Sequence, residues 1–198
     1  MRIIAGDLRG RRLKSVPKDY VKTRPISGRI KQSVFDIIAG LVPGSRFLDL
    51  YAGTGAVGME ALSRGAGCVF FIEMDRRCVS VIEANIELGG FKHCAKVHPG
   101  NILSELSWVP FRSGQKQFDL VFLGPPYKDE AKRALSYSTP SLARVVEAGL
   151  LAPKGWMISQ HHVKEEVQAP AGCLRTRREK YGDSYVDFFR WETGPAQP

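Results

Sequence analysis

The chain has 198 residues, 43% hydrophobic and 25% charged, with 20 Gly, 12 Pro and 4 Cys, a composition that excludes a disordered or collagen-like chain and fits one globular domain with a small appendage. No apolar run approaches the roughly 20 residues that span a bilayer, and the opening MRIIAGDLRGRRLK lacks the apolar core and cleavage site of a secretory signal, so a cytoplasmic protein is expected. The net charge of +9 is lopsided, because residues 1–32 hold ten cations against Asp7 and Asp19, and an excess concentrated at one end points to a polyanion such as nucleic acid.

Residues 1–26 read as a basic N-terminal arm. Short stretches from Met1 to Ala5 and from Arg11 to Val16, set around Gly6 and Gly10, predict a small hairpin or extended segment. It carries Arg9, Arg11, Arg12 and Lys14, the main candidates for phosphate contacts. Ile30, Val34, Ile37, Ile38 and Leu41 then recur at helical spacing after Ser27, which predicts an amphipathic helix capped at Ser27 and ended by Pro43 and Gly44.

From Arg46 the pattern becomes strand, loop and helix in alternation. Strands are expected at 46–51, 68–73, 95–98, 118–123 and 155–159, and helices at 56–64, 76–89 and 140–149, with a short one near 101–107. Such alternation implies a mostly parallel sheet covered on both faces. Two extended stretches at 173–181 and 184–191, joined at Gly182 and Asp183, add an antiparallel hairpin at the sheet edge, for seven strands within a domain spanning 27–192. Residues 193–198 are expected to fray. Cys68, Cys78, Cys94 and Cys173 are scattered without metal-ligand spacing, so reduced thiols and no metal are expected.

The segment Asp49-Leu-Tyr-Ala-Gly53-Thr-Gly55-Ala-Val-Gly58 lies between a predicted strand and helix. There Gly53 and Gly55 let the backbone turn and approach a ligand, while Gly58 lets the helix pack closely on the strand. Glu73 ends the next strand, where its carboxylate can accept hydrogen bonds from both hydroxyls of a ribose. The three glycines also satisfy a dinucleotide pattern, so NAD competes. Asp49 beside the loop argues against it, since a carboxylate opposes a pyrophosphate and suits an ammonium or sulfonium.

FDLVFL runs directly into Gly124-Pro125-Pro126-Tyr127, at the end of a strand that should deliver its carboxyl end to the crevice. The prolines remove two N–H donors and leave carbonyl acceptors, and Tyr127 offers a ring on which a base can stack. This suits an exocyclic amine of a nucleobase. His161 and His162 read as surface or packing residues, and Arg175, Arg177, Arg178 and Lys180 as either a second phosphate patch or a solvated edge strand.

The order DLYAGTGAVG, FIEMD and PPY resembles the S-adenosylmethionine-dependent amino-methyltransferases. The opening MRIIAGDLRGRRLK, with TRPISGRIKQSVFDII, LDLYAGTGAVGMEALSRGA and the late REKYGDSYVDFFRW, is similar to the RsmD family, which methylates guanine N2 in bacterial small-subunit (16S) ribosomal RNA. The resemblance covers nearly the whole chain. It implies a Rossmann-like class I methyltransferase fold acting on small-subunit RNA or a 30S assembly particle, and nothing in the sequence demands more than a monomer. It also implies S-adenosylmethionine contacts at Asp49, Ala52, Gly53, Gly55, Glu73 and Asn101, with the adenine near Ile102 or Met74. Arg24 and Pro25 match the family's Arg-Pro pair near the site where cofactor and base meet. One departure stands out: the family's fourth motif begins with Asp, or Asn in related enzymes, and here that position is Gly124. A non-catalytic RNA-binding or assembly protein and a DNA adenine-N6 or cytosine-N4 methyltransferase are the rival readings.

Overall fold

A computed structural model describes residues 1–17, 26–129 and 131–192. Seven strands form one sheet: β1 (Arg46–Leu50), β2 (Cys68–Glu73), β3 (Ala95–Pro99), β4 (Phe118–Leu123), β5 (Leu151–His162), β6 (Cys173–Tyr181) and β7 (Ser184–Trp191). Their order is β3-β2-β1-β4-β5-β7-β6. The first five run parallel, and β7 pairs antiparallel with both β5 and β6. The helices are α1 (Gly28–Ile37), α2 (Ala56–Ser63), α3 (Arg76–Gly89), α4 (Val109–Ser113) and α5 (Ser138–Glu147).

The chain leaves β1 toward β2 and β3 on one side and returns to β4 and β5 on the other. That reversal opens a crevice beyond the carboxyl ends of β1 and β4, the usual ligand position in an open α/β sheet. Alternate residues feed two apolar clusters: Phe47, Leu120 and Phe122 join one, and Leu48, Leu50, Val121 and Leu123 the other.

The local signals act as expected at several boundaries. Ser27 accepts the Ile30 N–H at 3.2 Å and starts α1, and Asp75 accepts the Arg77 N–H at the start of α3. Gly90, in the left-handed conformation, ends α3. Other boundaries differ. α1 stops at Ile37, a turn of 3-10 helix covers Ala39–Leu41, and Leu41 is exposed rather than packed. No helix forms at 101–107. Asn101 turns the chain by accepting the Leu103 N–H on its side chain, and the helix begins later, with Pro110 in its first turn. β5 extends well beyond 155–159 because both β4 and β7 pair with it.

The basic segment is a hairpin, closed by pairing of Arg2 with Arg12 and by mutual backbone bonds between Ile3 and the strand returning through Gly10 and Arg11. It does not stand away from the body. Ile3 and Leu13 are buried in the same cluster as Phe35 and Met59. Beneath it Glu60 on α2 accepts the N–H groups of Ile4 and Ala5 and lies 2.7 Å from the Lys31 ammonium, both side chains being fully buried. Lys31 also donates to the Arg2 carbonyl. One of the ten N-terminal cations is therefore an internal tie and not part of a binding surface. Arg24 and the tail 193–198 lie outside the described residues.

Candidate active site

Register places the two motif loops side by side. Leu50 pairs with Leu123, so the glycine loop that follows β1 and the Gly124–Tyr127 loop that follows β4 leave adjacent strands at the same level. Leu50 also pairs with Ile72, which sets Glu73 at the end of β2 on the other flank of the glycine loop.

Gly53 has φ +56°, and a Cβ there would meet nothing within 4 Å, so its backbone faces open space. Glu73, partly buried, accepts the Gly53 N–H at 2.7 Å and the Asp75 N–H at 2.9 Å. These bonds hold the carboxylate beside the loop and leave lone pairs for hydroxyl donors. Gly58 works differently: a Cβ would lie 2.2 Å from Cε1 of Phe71, so glycine is required for α2 to rest on β2. Ala52 is buried in the loop and gives its N–H to the Ile72 carbonyl.

Asp49 lies beneath the loop, buried, and accepts the Gly58 N–H at 2.8 Å. Burial pushes its carboxyl up to about 7; the Gly58 bond opposes that shift and the Glu73 charge adds to it. Its side chain is enclosed and committed to the Gly58 amide at the start of α2. Asn101 is exposed, Met74 is exposed, and the Ile102 side chain is buried in the core, so of the two adenine candidates Met74 has the available side chain.

Two residues that sequence reasoning misses shape the cradle. Tyr51 adopts φ +56°, a strained conformation for a bulky residue, and its hydroxyl is bonded to Ser141 on α5 at 2.8 Å. Asn85 on α3, fully buried, accepts the Lys14 N–H and donates to the carbonyls of Lys14 and Thr54. It thereby ties the basic hairpin to the glycine loop. Neither partnership has a local sequence signal.

On the opposite side, Gly124 and Tyr127 are partly exposed and Pro125 is buried. The Gly124 backbone has room for a side chain, since the nearest atom to an added Cβ is Cε1 of Phe122 at 3.4 Å. Arg9, Arg12 and Lys14 are exposed on the hairpin, while Arg11 bonds the Leu88 carbonyl. The second basic cluster is largely internally compensated. Arg178 makes two bonds to Asp187 and lies 4.5 Å from the Tyr185 ring centroid, and Arg177 pairs with Glu179. His161 is buried, bonded to Asp187 at 3.2 Å, and acts in packing. Among the described residues no group of three or more His, Cys, Asp and Glu could hold a metal ion, and no helix is long and apolar enough to cross a membrane.

A seven-stranded sheet with an antiparallel carboxyl-terminal pair, and a glycine loop at its reversal point, defines a Rossmann-like class I methyltransferase fold. Comparison with known proteins narrows this. The family model described as conserved hypothetical protein 95 matches residues 1–190. YlbH of Bacillus subtilis is 32% identical over 96% of this chain and 98% of its own length. The ribosomal RNA small subunit methyltransferase D of Haemophilus influenzae is 31% identical over 80% of this chain and 86% of its own. Among solved structures, yhhF of Escherichia coli superposes with a TM-score of 0.78, at 26% identity and 98% coverage of both chains. The chain belongs to the RsmD family.

Proposed function

We propose that this protein is an S-adenosylmethionine-dependent ribosomal RNA methyltransferase that modifies the exocyclic N2 amine of a guanine in small-subunit RNA. The observation that carries the reading is the juxtaposition of the glycine loop and the Gly124–Tyr127 loop at the paired ends of β1 and β4. Relatives named as ribosomal RNA methyltransferases support the substrate class.

The residues present fit the cofactor. Gly53 offers an open cradle and Glu73 a carboxylate held beside it; Ala52 and Gly55 belong to the same loop, and Asn101 and Met74, both exposed, are the further candidates for contact. Asp49 keeps the loop in place from below and contributes negative potential suited to a cationic ligand. When bound, S-adenosylmethionine supplies an electrophilic methyl group on its sulfonium. The chain's own contribution is placement. The Tyr127 ring supports the unstacked base, and the Gly124 and Pro125 carbonyls accept the hydrogens of its amine, which turns the nitrogen lone pair toward the cofactor side. The methylated nitrogen is strongly acidic, so proton loss needs no strong base. Arg9, Arg12 and Lys14 hold RNA phosphates from the hairpin.

Gly124 is the one feature that favours a second reading, a methyltransferase fold that binds RNA without turnover, because a side-chain acceptor there is worth on the order of 10²-fold in rate. The test is transfer of labelled methyl to small-subunit particles lacking the modification, by the unaltered protein and by Gly124→Asp. Transfer by the unaltered protein, with product mapped to guanine N2, is the expected result. Transfer by the Asp variant alone would establish the non-catalytic reading.

A further inference from the structure

The carboxyl-terminal hairpin reaches into the motif loop. The Tyr127 hydroxyl accepts a hydrogen bond from Nε2 of Gln160 on β5 at 2.9 Å and donates to Oγ of Ser184 on β7 at 3.0 Å. Ser184 in turn lies 3.4 Å from Oδ1 of Asp183 in the hairpin turn. The His162 ring meets the Tyr127 ring edge-on, with centroids 5.6 Å apart and planes at 71°. Gln160 and Ser184 are both buried, so their polar groups are committed to these bonds. Strand pairing fixes the geometry. Ser159 pairs with Leu123 immediately before the motif loop, and His162 pairs with Ser184, so β4, β5 and β7 bring Tyr127, Gln160 and Ser184 to one point.

We infer that Gln160 and Ser184 are positioning residues, a two-sided clamp on the Tyr127 hydroxyl that sets the plane of the ring on which the target base stacks. The inference rests on the platform role of Tyr127 proposed above. A tyrosine on a mobile loop samples several ring orientations, and each unproductive one misplaces the amine relative to the methyl donor. Misplacement by about 1 Å costs on the order of 10²-fold in rate. Two hydrogen bonds from rigid strands remove that freedom before the base arrives. They also give the antiparallel pair β6–β7 a task in the reaction, since without β7 the anchor at Ser184 is gone.

The test combines Gln160→Met, Ser184→Ala, Tyr127→Phe and Tyr127→Ala, assayed in whichever form, unaltered or Gly124→Asp, transfers methyl. Gln160→Met and Tyr127→Phe are each expected to lower kcat about tenfold, with S-adenosylmethionine affinity and melting temperature little changed. The double variant should be no slower than Tyr127→Phe alone, because the bond that Gln160→Met removes is one of the two that Tyr127→Phe removes. Multiplicative losses, near a hundredfold, would overturn the clamp. If Tyr127→Ala is inactive while Tyr127→Phe is fully active, the platform stands and the clamp falls; if Tyr127→Ala is fully active, the platform itself falls. A second readout needs no turnover. In protein carrying 13C-labelled tyrosine, the Tyr127 ring signal, identified by its loss in Tyr127→Phe, should move or broaden in Gln160→Met and Ser184→Ala. An unchanged signal in both would sink the inference.

Discussion

Asp49 and the glycines around it make separate, measurable demands. Asp49 holds its proton up to about 7 in the fold because burial disfavours the charge, against about 4 in an unfolded chain. The native state therefore binds a proton that the unfolded state has released, and this site loses stability as pH rises from about 4 to about 7. Asp49→Asn keeps an acceptor for the Gly58 N–H and removes the charge, so its melting temperature relative to the unaltered protein should climb across that window. A constant difference would mean that Asp49 is not titrating there. A cationic ligand at the loop favours the carboxylate, so S-adenosylmethionine should bind more tightly as pH passes 7, and the variant should lose that dependence. Gly53 and Gly58 separate binding from packing. Gly53→Val puts a side chain into the open cradle at φ +56° and is expected to abolish cofactor binding in calorimetry. Gly58→Ala forces a methyl against the Phe71 ring and is expected to cost about 1–3 kcal/mol in denaturant unfolding.

At the level of elements, the hairpin, α1 and α2 are joined by a buried charge pair. Four donors converge on Glu60: the Lys31 ammonium, the Ile4 and Ala5 amides and the Arg64 guanidinium. Burial raises the Glu60 carboxyl, but these donors outweigh it and hold the group below the usual carboxylate range. Glu60→Gln leaves the Lys31 ammonium buried without its counter-charge, a change expected to cost about 3–5 kcal/mol. Equilibrium unfolding checks this, and amide exchange at Ile4 and Ala5 should rise in the same variant. The pair also shows what the sequence can carry. α3 and β4 are legible to the residue because their signals are local: the Asp75 cap, the Gly90 stop, and an apolar run interrupted only by Asp119. The two motif loops are legible for the same reason. Lys31 reads as one more surface cation because its partner lies 29 residues away in sequence, and the Asn85 tie to Lys14 and the Gln160 and Ser184 bonds to Tyr127 span 71, 33 and 57 residues. Periodicity and turn chemistry report on neighbours along the chain, and these long-range bonds are created only when the sheet assembles.

Over the whole molecule, the net charge of +9 sits on a surface that the fold has sorted. Lys31 is inside, Arg177 and Arg178 are spent on Glu179 and Asp187, and the hairpin presents Arg9, Arg12 and Lys14 outward, within one Asn85 bridge of the glycine loop. RNA held there would have its phosphates anchored on a hairpin that Asn85 ties directly to the glycine loop. Removing residues 1–14 would be a poor probe of that arrangement, since it strips Ile3 and Leu13 from the core and exposes the Lys31–Glu60 pair. Charge substitution is the cleaner experiment. Each phosphate neutralised by a cation adds roughly 0.7–0.9 to the steepness of log affinity against log salt, so a combined Arg9→Gln, Arg12→Gln and Lys14→Gln variant should flatten the slope by about 2 to 3 without altering the melting temperature. Arg177→Gln, whose guanidinium is already paired, should leave the slope in place. The opposite pattern, an unaltered slope in the hairpin variant and a flattened one in Arg177→Gln, would move the RNA to the β6 edge and away from the crevice.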